Sequence, residues 1–333
     1  MMKYKKQNEC LNFFKGVSCW GILYMHTSYD CLVSSFISCL VRFAIPLFFM
    51  ISGYYIYNAD KETVAKKVPK KTIHILKLSV FSVILYLVYG EILSPLLNGK
   101  AINFINYLAN EFTYQNVWNL VVFNQWGILW FLFALLYCYL ILIPINKYDW
   151  YKKAYVLIPV LIGLLIFARG IIQYLNLIPE EINIIYFRNF IFMGFPFFML
   201  GNMIHKYENC LLNKITSKRL ILIMCAGMVI SCIERYIVAL EFFIGTLFTV
   251  VCIFIYALQN PDNRIIKPVA KIGKDYSLTM YIGHPIANDI LICLFRLIGL
   301  EQNKIFLITK PFLIFILIPI VVSLFNRVKK IRG

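Results

Sequence analysis

The sequence is poor in charge and poorest in acid: Asp and Glu number 16 in 333 residues, and charged residues of both signs make up only 15%. A soluble domain carries roughly 25% charged residues, so an ordinary globular enzyme is excluded. No polar stretch is long enough to fold as a separate soluble domain. There are 10 cysteines, but no CxxC pair and no zinc-like Cys/His spacing, so no metal site is read from the chain. Most of these cysteines read as small buried apolar residues, and a disulfide between Cys31 and Cys39 is an alternative for that pair. The first apolar stretch follows Lys3, Lys5 and Lys6 but lacks an A-x-A-like cleavage site. It continues directly into a second apolar stretch, so it reads as a retained helix. Internal repeats, low-complexity tracts and the matched broken helices of inverted-repeat transporters are all absent from the sequence.

What is present is hydrophobicity. Apolar residues are 61% of the chain, the mean hydropathy is +0.74, and such a chain can be neither disordered nor left in water. A membrane-crossing helix needs ~20 mostly apolar residues. Runs of that kind lie at roughly 12–31, 37–57, 76–94, 126–146, 154–171, 187–206, 219–235, 240–259, 277–298 and 306–326. The expected fold is an all-α integral membrane protein, a single domain over 1–333 built as a bundle of about ten transmembrane helices. Residues 58–75 form a basic stretch suited to an amphipathic helix on the inner membrane surface. Residues 95–125 form the largest outer loop and carry Tyr107, Tyr114, Trp118 and several amides.

The formal net charge of +17 suggests nucleic acid at first sight. With the N-terminus inside and the loops assigned alternately, however, 25 of the 33 Lys and Arg fall on inner segments and seven on outer ones. Arg42 sits just inside the second span. Cytoplasmic loops collect Lys and Arg, so both termini are placed in the cytoplasm, and a nucleic-acid partner is excluded because the cations are scattered anchors.

Ionisable groups inside a span are expensive and carry a functional hypothesis by default. In span 1, Lys15 and His26 are 11 residues apart, close to three turns, so they share a face at a separation of roughly 16 Å. Asp30 follows His26 at i+4 and can reach its imidazole; a histidine with an adjacent acid is the minimal general-base unit. Each group also has a plainer role, as an interhelix hydrogen bonder, a snorkelling anchor or a solvated acid. In span 2, Arg42 enters at the depth of His26 or Asp30, Pro46 is expected to kink the helix, and Ser52 and Gly53 permit close packing. In span 9, His284 and Asn288 lie at i and i+4 with Asp289 beside them, and Pro285 opens backbone acceptors. Trp126 and Trp130, at i and i+4 in span 4, fit an aromatic belt or a stacking surface for a sugar ring.

Taken together, LNFFKG with MHTS, RFAIPLFFMISGYYI, WFLFALLYCYL, GFPFFMLGNMI and YSLTMYIGHPI resemble the acyltransferase 3 family of bacterial membrane O-acyltransferases, in order and over nearly the whole chain. The resemblance implies that His26 is the catalytic histidine. It also implies that Lys15 stands where most members have an arginine thought to contact acyl-CoA, and that Asn12 stands at a usually acidic position. Arg42 and His284 fall on recurrent family positions. The implied activity is transfer of an acyl group, acetyl from cytoplasmic acetyl-CoA or another acyl-CoA, to a hydroxyl of a cell-envelope glycan or lipid-linked sugar. With the helical spacings above, the expected site has His26, Asp30 and Arg42 as catalytic groups and Lys15 and His284 on the donor. Trp126, Trp130, Asn288 and Asp289 face the acceptor. No tightly bound cofactor is implied, the location is the bacterial cytoplasmic membrane, and homo-oligomerisation is open. A multi-pass transporter of a small polar molecule is the competing class.

Overall fold

The computed structural model describes residues 8–29, 31–97, 110–111, 113–123, 127–174, 186–237, 242–262 and 267–332. Every regular element among them is helical. In chain order these are α1 (Glu9–Thr27), α2 (Leu32–Leu40), α3 (Ala44–Ile56), α4 (Lys61–Val88), α5 (Ser94–Leu97), α6 (Tyr114–Phe123), α7 (Trp130–Lys147) and α8 (Tyr151–Tyr174). They continue with α9 (Phe195–Lys206), α10 (Glu208–Leu212), α11 (Ser217–Ile237), α12 (Ile244–Gln259), α13 (Lys267–Asp275), α14 (Ser277–Leu297) and α15 (Lys304–Arg332). Single π-helical turns, Tyr89–Leu93 and Phe190–Gly194, lead out of α4 and into α9. Among the described residues, seven helical stretches are long and apolar enough to cross a membrane, and Ile244–Gln259 is a shorter apolar helix. The sequence reading expects ten crossings; α1, α9 with its π turn, and α12 are helices at the other three places.

Contacts at the helix ends sort the bundle into two faces. At one, the Glu9 amide donates to Pro261 O at 2.8 Å, the Asn8 amide group to Ala257 O at 2.7 Å and the Tyr54 hydroxyl to Glu208 at 2.9 Å. At the other, the Tyr24 hydroxyl meets Ser34 at 3.0 Å, and the Arg296 guanidinium donates to Leu97 O at 3.3 Å. The first face, the Glu9 end, carries the lysine-rich starts and ends of α4, α7, α8 and α13. The second is the Thr27 end.

Helices cross closely where glycine removes the side chain. A Cβ on Gly53 of α3 would stand 1.8 Å from Phe198 O of α9, and one on Gly201 would stand 2.0 Å from Met50 O. Small residues admit this approach between apolar helices, as the sequence suggested for Gly53. A buried polar clamp finishes the crossing: Asn202 accepts from the Tyr155 hydroxyl at 2.8 Å and donates to Gly53 O at 3.4 Å. Helix α1 is central, packing on α3, α12, α13, α14 and α15. Its start is fixed by Asn8, whose side chain accepts from the Leu11 amide at 2.7 Å, with Glu9 in the first turn complementing the helix dipole.

The apolar stretch Leu32–Ile56 is kinked near Pro46, as expected, and the kink takes the form of a turn over Val41–Phe43 that divides α2 from α3. Pro46 lies in the first turn of α3, where its missing N–H costs nothing, and its ring forbids helix through the residue four positions earlier, Arg42. The basic stretch 58–75 is expected as an amphipathic helix, and it runs on into the following span. From Lys61 it forms the opening turns of α4, because Val64, Val68, Thr72, Ile75, Ser79 and Ser82 make one uninterrupted buried stripe at helical spacing.

Candidate functional site

Lys15, Cys19, Leu23 and His26 recur along one face of α1, as their spacing requires, and all four line one cavity of about 180 Å³. The α3 residues Phe48, Ile51 and Ser52, Trp130 and Phe131 of α7, and Tyr281 and His284 of α14 supply the other walls. The cavity is mostly apolar with polar groups at separate levels, the usual make-up of a small-molecule site. Lys15 stands toward the Glu9 end, with Asp275 within Coulombic reach. There α13 crosses α1 so tightly that a Cβ on Gly16 would lie 2.2 Å from Val269 O. The short α13 buries Ala270 and Gly273 and leaves Lys267, Lys271 and Lys274 outside.

The chemistry concentrates on two histidines. The rings of His26 and His284 face each other with centroids 5.3 Å apart and planes tilted by 39°. A linear N–H···N bond between imidazoles puts the centroids roughly 5 Å apart, so a small ring rotation would join them. His284 is buried, and its Nδ1 lies 2.9 Å from Tyr281 O and 3.1 Å from Met280 O. A carbonyl can only accept, so Nδ1 carries the proton and Nε2 is a bare acceptor. That Nε2 is buried and makes no hydrogen bond within the protein. The free carbonyl follows from the sequence: Pro285 has no N–H to return to Tyr281 O, and the imidazole takes the place of the missing helix bond.

One turn further along α14, Asp289 accepts hydrogen bonds from the Tyr89 hydroxyl and, at 3.1 Å, from the Asn288 side-chain amide. The buried Lys310 of α15 acts on the same carboxylate. The Asn288 Oδ1 is buried with no hydrogen bond inside the protein. This is a second polar level, next to the cavity but outside its described wall.

The remaining residues singled out from sequence divide. Trp130 is buried in the cavity wall, its ring 6.4 Å from that of Phe49, so it is no solvent-facing belt residue. Arg42 does not line this cavity; its guanidinium lies over the Phe243 ring at 4.9 Å, in a different pocket. Asp30 and Trp126 lie outside the described residues. Arg188, at the approach to α9, is within Coulombic reach of His26 and escaped the sequence reading. The only signal it gave was its place among the few cations assigned to the outer side. No disulfide joins Cys31 and Cys39: the Cys31 thiol lies 3.4 Å from the Ser34 hydroxyl, and the Cys39 thiol donates to Ser231 O at 3.1 Å.

The model of a family described as an acyltransferase domain matches residues 8–325. No curated protein and no solved structure matches the chain.

Proposed function

The chain belongs to the acyltransferase 3 family, and from that premise we propose that it moves an acyl group from a cytoplasmic acyl-CoA to a hydroxyl of a cell-envelope glycan or lipid-linked sugar. Acetyl-CoA is the donor of choice in this reading, and the protein is a multi-pass component of a bacterial cell membrane. The lysine-rich Glu9 end faces the cytoplasm by the positive-inside rule, with both termini there and ten crossings in all.

One observation carries the reading: Lys15 and His26 open into the same cavity from opposite levels of one helix. The separation of roughly 16 Å suits a donor whose phosphates meet Lys15 and the α13 lysines while its extended pantetheine carries the thioester to His26. The acceptor hydroxyl comes from the Thr27 end, over Trp130. His284, with its proton held on Nδ1, offers Nε2 to the N–H of His26, which leaves the other nitrogen of His26 bare toward the hydroxyl. His26 takes the hydroxyl proton as the oxygen attacks the thioester carbonyl. The intermediate collapses with cleavage of the C–S bond, and His26 returns the proton to the sulfur, so that CoA leaves as the free thiol. Among the described residues Arg188 is a cation that acts electrostatically on His26, and it takes the oxyanion-stabilising part in this reading. Asn288 and Asp289 hold further acceptor hydroxyls.

Release of free CoA from acetyl-CoA by the purified protein, with and without candidate glycans, tests this. Release that depends on an acceptor and is lost in His26→Ala supports the reading. Equal release by the variant, or acceptor flux without thioester cleavage, overturns it.

A further inference from the structure

Cys39 lies in the last turn of α2, and α2 packs on α11. Its thiol donates to Ser231 O of α11 at 3.1 Å, and the next residue along α11 is Cys232. The Cys39 and Cys232 thiols share a side-chain hydrogen bond. A sulfur that touches the backbone of one residue and the side chain of the next lies within the span a disulfide bridges, about 4.4–6.8 Å between Cα atoms. The backbones on both sides are held. A Cβ on Gly245 of α12 would stand 2.2 Å from Gly227 O of α11, and the Ser231 and Thr246 hydroxyls meet at 3.1 Å. Glu234 accepts from the Ile244 and Gly245 amides at 3.1 and 2.9 Å. On the other side, the Tyr24 hydroxyl of α1 holds Ser34 of α2 at 3.0 Å. Closure of a bond between the sulfurs is therefore left to rotation of two side chains.

Access selects the oxidant. Cys39 lines a second cavity at the Thr27 end, of about 290 Å³, together with Ser28, Ser34, Ser35 and Ser38. The hydroxyls make this cavity wettable, and with Cys39 only 2% exposed a small polar solute reaches the sulfur where a protein cannot. Cys232 lines an apolar groove with Phe36 and Leu40, on the other face of α2.

We propose that Cys39 and Cys232 form a reversible oxidation site, closed to a disulfide by a peroxide, that locks α2 to α11. With hydrogen peroxide, the Cys39 sulfur attacks one oxygen, the S–O bond forms and the O–O bond breaks. The thiol proton leaves with the other oxygen as water. The Cys232 sulfur then attacks the sulfenic acid: the S–S bond forms, the S–O bond breaks, and the hydroxyl leaves with the Cys232 proton as a second water. Two electrons pass from the two sulfurs to the peroxide. A thiol poised beside the sulfenic acid traps it before further oxidation. Oxidants meet this site from outside the cell in the orientation proposed above; the pairing itself rests on neither that orientation nor acyl transfer.

The test treats the reduced full chain in nanodiscs with hydrogen peroxide, labels the remaining thiols with a maleimide, and locates the changes by digestion and mass spectrometry. Wild type is expected to lose the label at Cys39 and Cys232 together and to yield one peptide pair joined through them, two hydrogens lighter than its parts. Dithiothreitol restores both labels. Cys232→Ser removes the trap, so dimedone captures the Cys39 sulfenic acid in place of the cross-link, and Cys39→Ser loses both signals. Oxidised wild type is expected to melt above the reduced form, because the link constrains the unfolded chain, and Cys232→Ser shows no such difference. Equal melting temperatures of the reduced proteins check that both variants fold. The exposed Cys210 is the internal control for the peroxide dose. Full labelling of Cys39 and Cys232 at a dose that oxidises Cys210, or a link from Cys39 to any other cysteine, overturns the site. Neither acyl-CoA nor acceptor enters the measurement, so failure of acyl transfer leaves its outcome unchanged.

Discussion

Pro285 decides which nitrogen of His284 carries the proton. By withholding an amide from Tyr281 O it leaves that carbonyl to Nδ1, at 2.9 Å, so that Nε2 is the bare nitrogen of a ring whose centroid lies 5.3 Å from that of His26. Pro285→Ala restores the amide, which then competes for the same carbonyl. The expected result is a fall in kcat of about ten-fold, the equivalent of one net hydrogen bond, with KM for the acyl-CoA unchanged. Steady-state CoA release checks it; a variant that raises KM alone would show that the proline shapes binding and not the base.

Removal of the His26 imidazole is expected to be far more damaging. General-base catalysis is worth about 100- to 10,000-fold, so His26→Gln falls by that factor in kcat while still binding acetyl-CoA. Binding measured by calorimetry separates a lost base from a lost site.

Lys15 has a different signature. Lys15→Met raises KM for the donor with little change in kcat, as expected for a group that binds ground state and transition state alike. Lys15→Arg, which supplies a fork for phosphate oxygens, keeps or tightens donor binding. Kinetics that vary acyl-CoA at saturating acceptor decide between these outcomes.

Two glycines of the bundle respond oppositely to the same substitution. Gly53→Ala drives a methyl to 1.8 Å from Phe198 O and separates α3 from α9, for a loss of about 1–3 kcal/mol or more. At Gly163 of α8 an added Cβ meets nothing within 4 Å, so Gly163→Ala gains up to about 1 kcal/mol of helix propensity. Melting temperatures of the two variants in one detergent are sufficient to test both.

The start of α4 is acid-sensitive in a defined direction. The Thr63 hydroxyl and the Glu62 and Thr63 amides hydrogen-bond the Asp60 carboxyl and hold it below the usual carboxylate range. A carboxyl depressed in the folded state stabilises above its unfolded pKa, and that stabilisation is lost as the pH falls through the lower folded value. Wild type should therefore lose more thermal stability than Asp60→Asn between pH 6 and pH values below about 4, and the gap between the two should close at the acidic end.

The sequence made local relations legible and left distant ones hidden. Lys15 and His26 share a face because helical periodicity says so, and the free carbonyl beside His284 follows from a proline one residue on. Gly53 was recognised as a contact point without its partner Phe198. The pairing of His26 with His284 and the approach of Arg188 arise from tertiary packing, which no spacing encodes. Pro46 announces the kink at Val41–Phe43, although a proline marks a fault in a helix without saying how sharply the chain turns there. At the start of α4 the lysines are plain in the sequence, whereas the valine stripe that joins this stretch to the following span is not.

The crossing of Gly16 with α13 has a mechanical side. Gly16 and Gly273 let the two backbones meet, with the stiff β-branched Val269 side chain packed against Gly16, so a tilt of one helix is handed to the other with little slack. From that crossing α1 extends roughly 16 Å between the levels of Lys15 and His26, which makes it a lever. A rocking of α13 by only a few degrees would swing the imidazole by about 1 Å, enough to bring reacting atoms into line or out of it.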